Sequence, residues 1–240
     1  FTYILVTKFF NIFFLNMIIK NGENTNILFL LKEIIMRLPK HIGIIPDGNR
    51  RWAVNNGFTK DKGYASGIFP GTQIFDLCVE NNIEEVTFYG FTVDNTKRPT
   101  FQKKAFIDAC IKSVNIISKK NCEILVLGNS ESPSFPKELL PFTKRKKCGY
   151  GGIKINFLIN YGWKWDLYNL KSHEDYHSKD ISRIDLIIRW GGRRRLSGFL
   201  PLQSVYSDFF IVDDLWPDFT SSQFMDALKW YSLQDVTLGG

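Results

Sequence analysis

Three short stretches hold most of the residues that could do chemistry. In HIGIIPDGNRRWA (41–53) an apolar run ends at Pro46 and gives way to Asp47, Gly48, Asn49, Arg50, Arg51 and Trp52. FTVDNTKRP (91–99) carries Asn95, Lys97 and Arg98, and RWGGRRRLSG (189–198) carries Arg189, Arg193, Arg194, Arg195 and Ser197. Lys60 adds a further cation. Guanidinium forks offer paired donors that match phosphate oxygens. Glycines 191 and 192 and the Ser197 hydroxyl could add backbone and side-chain donors. A carboxylate among these cations most sensibly holds magnesium bridging to phosphate. Asp47 is the first candidate ligand and Asp208 the second. The expected ligand is therefore a phosphate or diphosphate with Mg2+.

Each feature also has a plainer reading. GGRRR could be a solvated run or a nucleic-acid patch. Asp47 could cap the helix that follows it. Asn95 could hold a turn, and Trp52 could simply pack. The elements that carry these residues weigh between the readings. Buried strands are expected at 41–45, 83–91, 122–129, 153–162, 184–192 and 207–214, where Ile, Val, Phe and Leu recur on both faces. Helices are expected at 26–38, ended by Pro39, at 50–57, at 65–82 with a break or start near Pro70 and Gly71, at 101–120 and at 222–231. In the fourth of these, Phe106, Cys110, Val114 and Ile117 form one apolar stripe. Residues 130–152 read as loop. Apolar strands alternating with helices predict an α/β fold: one domain with a mostly parallel six-stranded sheet flanked by helices. The polar stretches follow successive strands, and a parallel sheet places its ligand crevice where such strand ends gather. Five strand ends then converge on one cleft.

Composition narrows the classes. The 240 residues fit one sizeable core, and 44% hydrophobic with 23% charged residues excludes a disordered chain. A net charge of +7 admits nucleic acid, an anionic membrane or a phosphorylated small molecule as partner. Nucleic acid is disfavoured, because no aromatic–basic platform or recognition helix is evident. The four cysteines form no CxxC pair and read as reduced structural thiols of a cytoplasmic protein. There is no P-loop, no GxGxxG after a strand and no G-x-S-x-G elbow. His41, His173 and His177 do not pair with cysteines at metal spacing. Residues 1–35 are apolar, but Lys8, Asn11 and Asn16 interrupt them, and they lack a signal-peptide layout. They are expected to be an extension or extra helix, with peripheral membrane contact, ahead of a catalytic domain at 36–240.

Taken together, HIGIIPDGNRRWA, VTFYGFTVDNTKRP (86–99), INFLINYG and DLIIRWGGRRRLSGFLPLQSVYSDFFIVDDLWPDF (185–219) resemble the cis-prenyltransferases, in order and at the expected distances. These include undecaprenyl diphosphate synthase and shorter-chain relatives. The resemblance implies an apolar tunnel beside a diphosphate site, a homodimer, and magnesium. The implied reaction joins an allylic diphosphate to isopentenyl diphosphate and makes a cis-prenyl diphosphate of short or medium length. Asp47 looks like the essential aspartate, and Asn95 and Arg98 match the segment linked to catalysis. Gly48, Asn49, Arg51 and Lys60 resemble the allylic diphosphate cradle, to which Arg50, Trp52 and Tyr64 belong by position. Arg189, Arg195 and Ser197 match the second diphosphate site, and Asp208 stands where a magnesium-binding glutamate is usual.

The pattern also departs from the family. Tyr64 replaces a histidine, Thr96 a tryptophan, Arg193 a glutamate and Pro46 a frequent methionine, and the basic C-terminal tail is missing. A proline before the aspartate and a non-acidic residue after the glycine pair also occur in relatives that condense two dimethylallyl diphosphates head-to-middle to lavandulyl-type products. That reaction is the alternative, beside a non-catalytic subunit of a heteromeric enzyme. The joint presence of Asp47, Asn95, Arg98, Arg195 and Ser197 argues against the non-catalytic reading.

Overall fold

The computed structural model describes residues 36–168 and 176–235. The chain divides into two units, Phe1–Arg37 and Leu38–Gly240, and the described residues belong almost wholly to the second. The apolar 1–35 segment, with its membrane contact, and residues 26–35 of the expected helix lie outside the described residues; positions 36–38 are not helical. Among the described residues, no helix is long and apolar enough to cross a membrane.

Five consecutive buried residues make the first strand, β1 (His41–Ile45). It is followed by β2 (Glu85–Tyr89), β3 (Cys122–Leu127), β4 (Lys146–Cys148), β5 (Ile153–Leu158), β6 (Leu186–Arg189) and β7 (Asp208–Ile211). They form one sheet in the order β4-β3-β5-β2-β1-β6-β7. All pairings are parallel except β3 with β4. The sequence predicts six strands; the described residues form seven. The extra one runs through the charged stretch expected to be loop. Its two lysines are exposed while Cys148 is buried, which suits an edge strand that needs only one hydrogen-bonded neighbour and whose charges discourage further pairing.

The helices are α1 (Asn49–Asn55), α2 (Lys62–Ser66), α3 (Ile68–Glu80), α4 (Thr100–Ile117), α5 (Trp163–Asp166) and α6 (Ser221–Ser232). The break expected near Pro70 falls instead at Gly67, between α2 and α3, and Pro70 sits inside the first turn of α3, where a missing N–H costs nothing. Alternation along the strands splits the sheet into two faces. Phe88 and Phe157 face α3 and α4. Ile45, Leu125, Leu127, Leu158 and Ile187 pack on the other face with Ile181, Ile184, Phe199 and Leu200.

Toward the N-terminal end of the strands that second face is polar and internally satisfied. His41 Nε2 meets Thr87 Oγ1 at 2.8 Å, and Asn156 Nδ2 donates to Glu85 Oε1 at 2.6 Å and to Thr87 Oγ1 at 2.8 Å. Ser182 Oγ donates to Glu85 Oε2 at 2.7 Å. Burial holds the His41 imidazole below its ordinary range even though Glu85 pulls the other way. These groups answer one another, as buried polar atoms must, and stand away from the C-terminal strand ends.

All four cysteines are free and buried. Burial pushes the Cys110 and Cys122 thiols up to about 12 and Cys78 higher still. Thiolate is then scarce at neutral pH, which makes these residues inert packing groups.

Candidate active site

At the end of β1 the chain turns at Pro46 and Asp47 and enters α1 with Gly48 as its N-cap, without any side-chain cap bond. The Asp47 carboxylate is therefore not spent on capping. Its Oδ2 accepts from Arg189 Nη2 at 2.8 Å, and its Oδ1 lies 3.6 Å from Arg51 Nη2. Arg51 Nη2 also donates to the Gly191 carbonyl at 2.8 Å. Gly191 has a φ of 86°, and a Cβ there would lie 2.4 Å from the Arg51 nitrogen. Only glycine lets the β6 loop come this close to α1.

Arg189, the last residue of β6, is 3% exposed. Beyond Asp47, its Nη1 donates to Ser197 Oγ at 3.1 Å and to the Arg195 carbonyl. Its Nε is buried without a partner. From β2, Tyr89 Oη donates to the Ser197 carbonyl at 2.8 Å. Three strand ends, β1, β2 and β6, are thus tied together by one guanidinium and one phenol. The short helix α2 packs on α1 through Gly63, where a Cβ would lie 1.9 Å from the Asn49 carbonyl oxygen. This close approach carries Tyr64 to the cleft, where its Oη accepts from Arg98 Nη1 at 2.8 Å. Burial raises the Tyr64 phenol and lowers the Arg98 guanidinium from their ordinary values.

The result is a cleft of about 710 Å³. Its lining includes Asp47, Gly48, Asn49, Arg50, Arg51, Lys60, Tyr64, Asn95, Arg98, Arg189, Arg195 and Ser197, all expected from the sequence. Seven cationic side chains face two carboxylates, Asp47 and Asp94. Of the five strand ends expected to converge, the first, second and fifth do; Gly128 and Asn129 after the third and Asn160, Tyr161 and Gly162 after the fourth are absent from the lining. Such a cleft concentrates anions, and its backbone and guanidinium donors are held in place before any ligand arrives.

Beneath the cleft lies an apolar cavity of about 80 Å³ between the sheet and helices α3 and α4. Pro46, Asn49, Tyr64, Tyr89, Gly90 and Phe106 line both spaces. Farther in come Phe88, Phe157, Cys110, Ser113 and Ile117. The stripe Phe106–Cys110–Ile117 is thus partly cavity wall; Val114 is fully buried core.

Two expected site residues stand elsewhere. Trp52 points off the cleft: its ring stacks on Phe58 at 6.1 Å and its Nε1 donates to Asp218 Oδ1 at 2.7 Å. Arg50 and Arg51 on the same helix reach the cleft, whereas the Trp52 ring is held on the far side by these two partners and is absent from the lining. Asp208 opens β7 in register with Leu186, three residues before the Arg189 position, and is absent from the cleft lining. The second carboxylate at the cleft is Asp94. Asn95 serves two readings at once. Its Oδ1 accepts from the Thr92 amide at 3.0 Å in a reciprocal capping box, and the residue also lines the cleft. His177 stacks on Trp165 at 4.0 Å, and His173 lies outside the described residues.

Tyr89, Asp94 and Phe106 escape sequence reasoning. Tyr89 and Asp94 flank a strand end already singled out, so their place had a signal. Phe106 had none, since a helical stripe reads the same whether it covers core or cavity.

Among the described residues, no group of three or more His, Cys, Asp or Glu could hold a metal ion. One accessible carboxylate, Asp47, beside a phosphate-binding cleft still fits magnesium, which dehydrates reluctantly and often takes one or two carboxylates plus substrate phosphates.

Comparison with known proteins places the chain in a family. Residues 45–239 match the family model described as "Putative undecaprenyl diphosphate synthase". An isoprenyl transferase of Heliobacterium mobile is 30% identical over 230 residues, covering 85% of this chain and 88% of that protein. A ditrans,polycis-undecaprenyl-diphosphate synthase of Yersinia pseudotuberculosis, (2E,6E)-farnesyl-diphosphate specific, is 29% identical, covering 85% and 91%. In structure, lavandulyl diphosphate synthase from Lavandula x intermedia, solved with dimethylallyl diphosphate, superposes with a TM-score of 0.69 over 82% of this chain and 97% of that one. At 21% identity this last likeness supports the fold. With the family model spanning nearly the whole sheet domain, the chain belongs to the cis-prenyltransferase family, that of the undecaprenyl and polyprenyl diphosphate synthases.

Proposed function

We propose that this prenyltransferase condenses an allylic diphosphate with isopentenyl diphosphate and releases a cis-prenyl diphosphate of short length. One observation carries the reading: a cleft with seven cations opens, through six shared lining residues, onto an apolar cavity far smaller than itself. The cleft suits two diphosphates and the cavity suits a short hydrocarbon tail.

In this reading Gly48, Asn49, Arg50, Arg51, Lys60 and Arg98 hold the allylic diphosphate, and Arg195 and Ser197 hold the second substrate. As the allylic C–O bond breaks, negative charge grows on the leaving oxygens, and the fixed guanidiniums face it without having to reorganise. The alkene π electrons of isopentenyl diphosphate form the new C–C bond. A proton then leaves the adjacent carbon to a diphosphate oxygen, and its electron pair becomes the new double bond. Tyr89, Phe106, Phe88 and Phe157 keep water from the cationic carbon. Asp47 would hold magnesium, which when bound neutralises diphosphate charge as a Lewis acid.

The test incubates the protein with Mg2+ and dimethylallyl, geranyl or farnesyl diphosphate, with and without isopentenyl diphosphate, and identifies products by mass spectrometry. Short products that require isopentenyl diphosphate are expected, with farnesyl diphosphate used about ten-fold less efficiently than the shorter primers. Long polyprenyl products would refute the short-chain reading. Product from dimethylallyl diphosphate alone would point to head-to-middle condensation, and no product from any pair would sink the enzyme reading.

The same proposal includes a homodimer. Its support is a group of exposed apolar residues close in sequence, Leu202, Val205 and Tyr206, of the kind that marks an interface. Light scattering should give twice the chain mass of 27.8 kDa, and Val205→Lys should shift it toward one chain. A monomeric wild type would remove the dimer from the proposal.

A further inference from the structure

Tyr64 and Phe106 come from different helices, α2 and α4, yet their rings are nearly parallel and stacked. Their centroids lie 4.5 Å apart with an interplanar angle of 4°. The Arg98 guanidinium carbon lies 5.4 Å from the Phe106 centroid and 5.9 Å from that of Tyr64. Arg98 Nη1 also donates to Tyr64 Oη at 2.8 Å. All three residues line the cleft, and both rings also line the apolar cavity.

We propose that Tyr64 and Phe106 form a two-ring clamp that positions the Arg98 guanidinium toward a bound diphosphate without neutralising it. This rests on the diphosphate reading of the cleft and assigns the pair a role within it. Tyr64 and Phe106 are positioning residues: they act through Arg98.

The chemistry of the partners carries the argument. Arginine at a partly buried place loses hydration and needs compensation. The usual partner, a carboxylate, would restore stability but cancel the charge that an anion site requires. The phenol oxygen holds the cation through one hydrogen bond, the stacked ring pair packs beside it as a neutral aromatic wall that fixes where that oxygen stands, and none of these contacts cancels the +1 charge. Only one of the five guanidinium N–H donors is spent on the phenol, so others remain for phosphate oxygens. Burial keeps the phenol protonated, so it stays a neutral acceptor across the working pH range. Arg50, a second cation acting on both Tyr64 and Arg98, would push Arg98 away if the clamp were absent. The clamp also stands where the polar cleft meets the apolar cavity, so the cation is fixed at the point where the head of a prenyl diphosphate meets its tail.

The test uses the full chain and inorganic diphosphate with Mg2+ as probe, with binding read by calorimetry. Tyr64→Phe keeps the ring and the stack and removes only the hydroxyl. Diphosphate affinity should fall about ten-fold in Tyr64→Phe. In an Arg98→Ala background the same change should cost nothing further, because contacts that act through one group are not additive. Phe106→Leu should weaken binding by a smaller factor, again only when Arg98 is present, and serves as the second route if Tyr64→Phe does not fold. Losses that multiply with Arg98→Ala, or a Tyr64→Phe protein that binds like wild type, overturn the clamp. A wild type that binds diphosphate but makes no product from any prenyl pair defeats the proposed reaction and leaves the clamp to be judged by the cycle. A wild type that does not bind diphosphate overturns both.

Discussion

Asp47→Asn should lower turnover by about 1,000-fold while the chain stays folded. The carboxylate sits at the cleft, a third exposed, with one oxygen on Arg189 and the other 3.6 Å from Arg51. Asparagine has the same shape, and its Oδ1 can still accept from Arg189 Nη2. What it lacks is the negative charge, and a hard dication is held by charged oxygen. If that charge secures the metal that neutralises the leaving diphosphate, its loss removes several kcal/mol of transition-state stabilisation, and three powers of ten correspond to about 4 kcal/mol. Alanine is the harsher change. It also strips a partner from Arg189, which is 3% exposed. Breaking a fully buried pair costs about 3–5 kcal/mol, and the partial exposure of Asp47 reduces that figure here. Both variants should therefore lose activity, and the alanine variant should lose more melting temperature than the asparagine variant, which gives up the charge but keeps the hydrogen bond to Arg189. A product assay and thermal unfolding on both variants separate the two effects. Unchanged turnover in Asp47→Asn would refute the metal-holding role.

The way this site is assembled explains what the sequence could reveal. Parallel strands are buried on both faces, so β1, β2 and β6 read as buried strands, and the polar residues after them mark one end of the sheet. Asp47, Asn95, Arg98, Arg195 and Ser197 were legible for that reason. β4 was not, because Lys146 and Lys147 on an edge strand read the same as a solvated loop. Nor could the sequence tell which neighbours in a polar stretch face the cleft. Trp52 turns to Asp218 and Phe58 because of its place on α1. Asp208 starts its strand instead of ending it, and the carboxylate at the cleft is Asp94. The burial of Arg189 was hidden too, since it depends on a loop folding back over its own strand end.

That burial leads to the second large effect. Arg189 was expected to grip substrate, but two of its guanidinium nitrogens, Nη1 and Nη2, already donate to Asp47, Ser197 and the Arg195 carbonyl, and Nε is buried without a partner. These bonds would let it act through its neighbours, holding the carboxylate of β1 against the loop of β6. Lysine keeps the charge but is a single point on a flexible stem, without a planar fork to reach three acceptors in fixed directions. Arg189→Lys should therefore lower kcat/KM about 100-fold with the fold retained, and Ser197→Ala, which removes one of the three acceptors, about ten-fold or less. The decisive comparison is the double variant. If Arg189 works by positioning Asp47, then Arg189→Lys in the Asp47→Asn background should cost at most about two-fold more, because most of the interaction it supports is already gone. If Arg189 grips a diphosphate itself, the two losses multiply, and steady-state kinetics on the four proteins would show a further 100-fold.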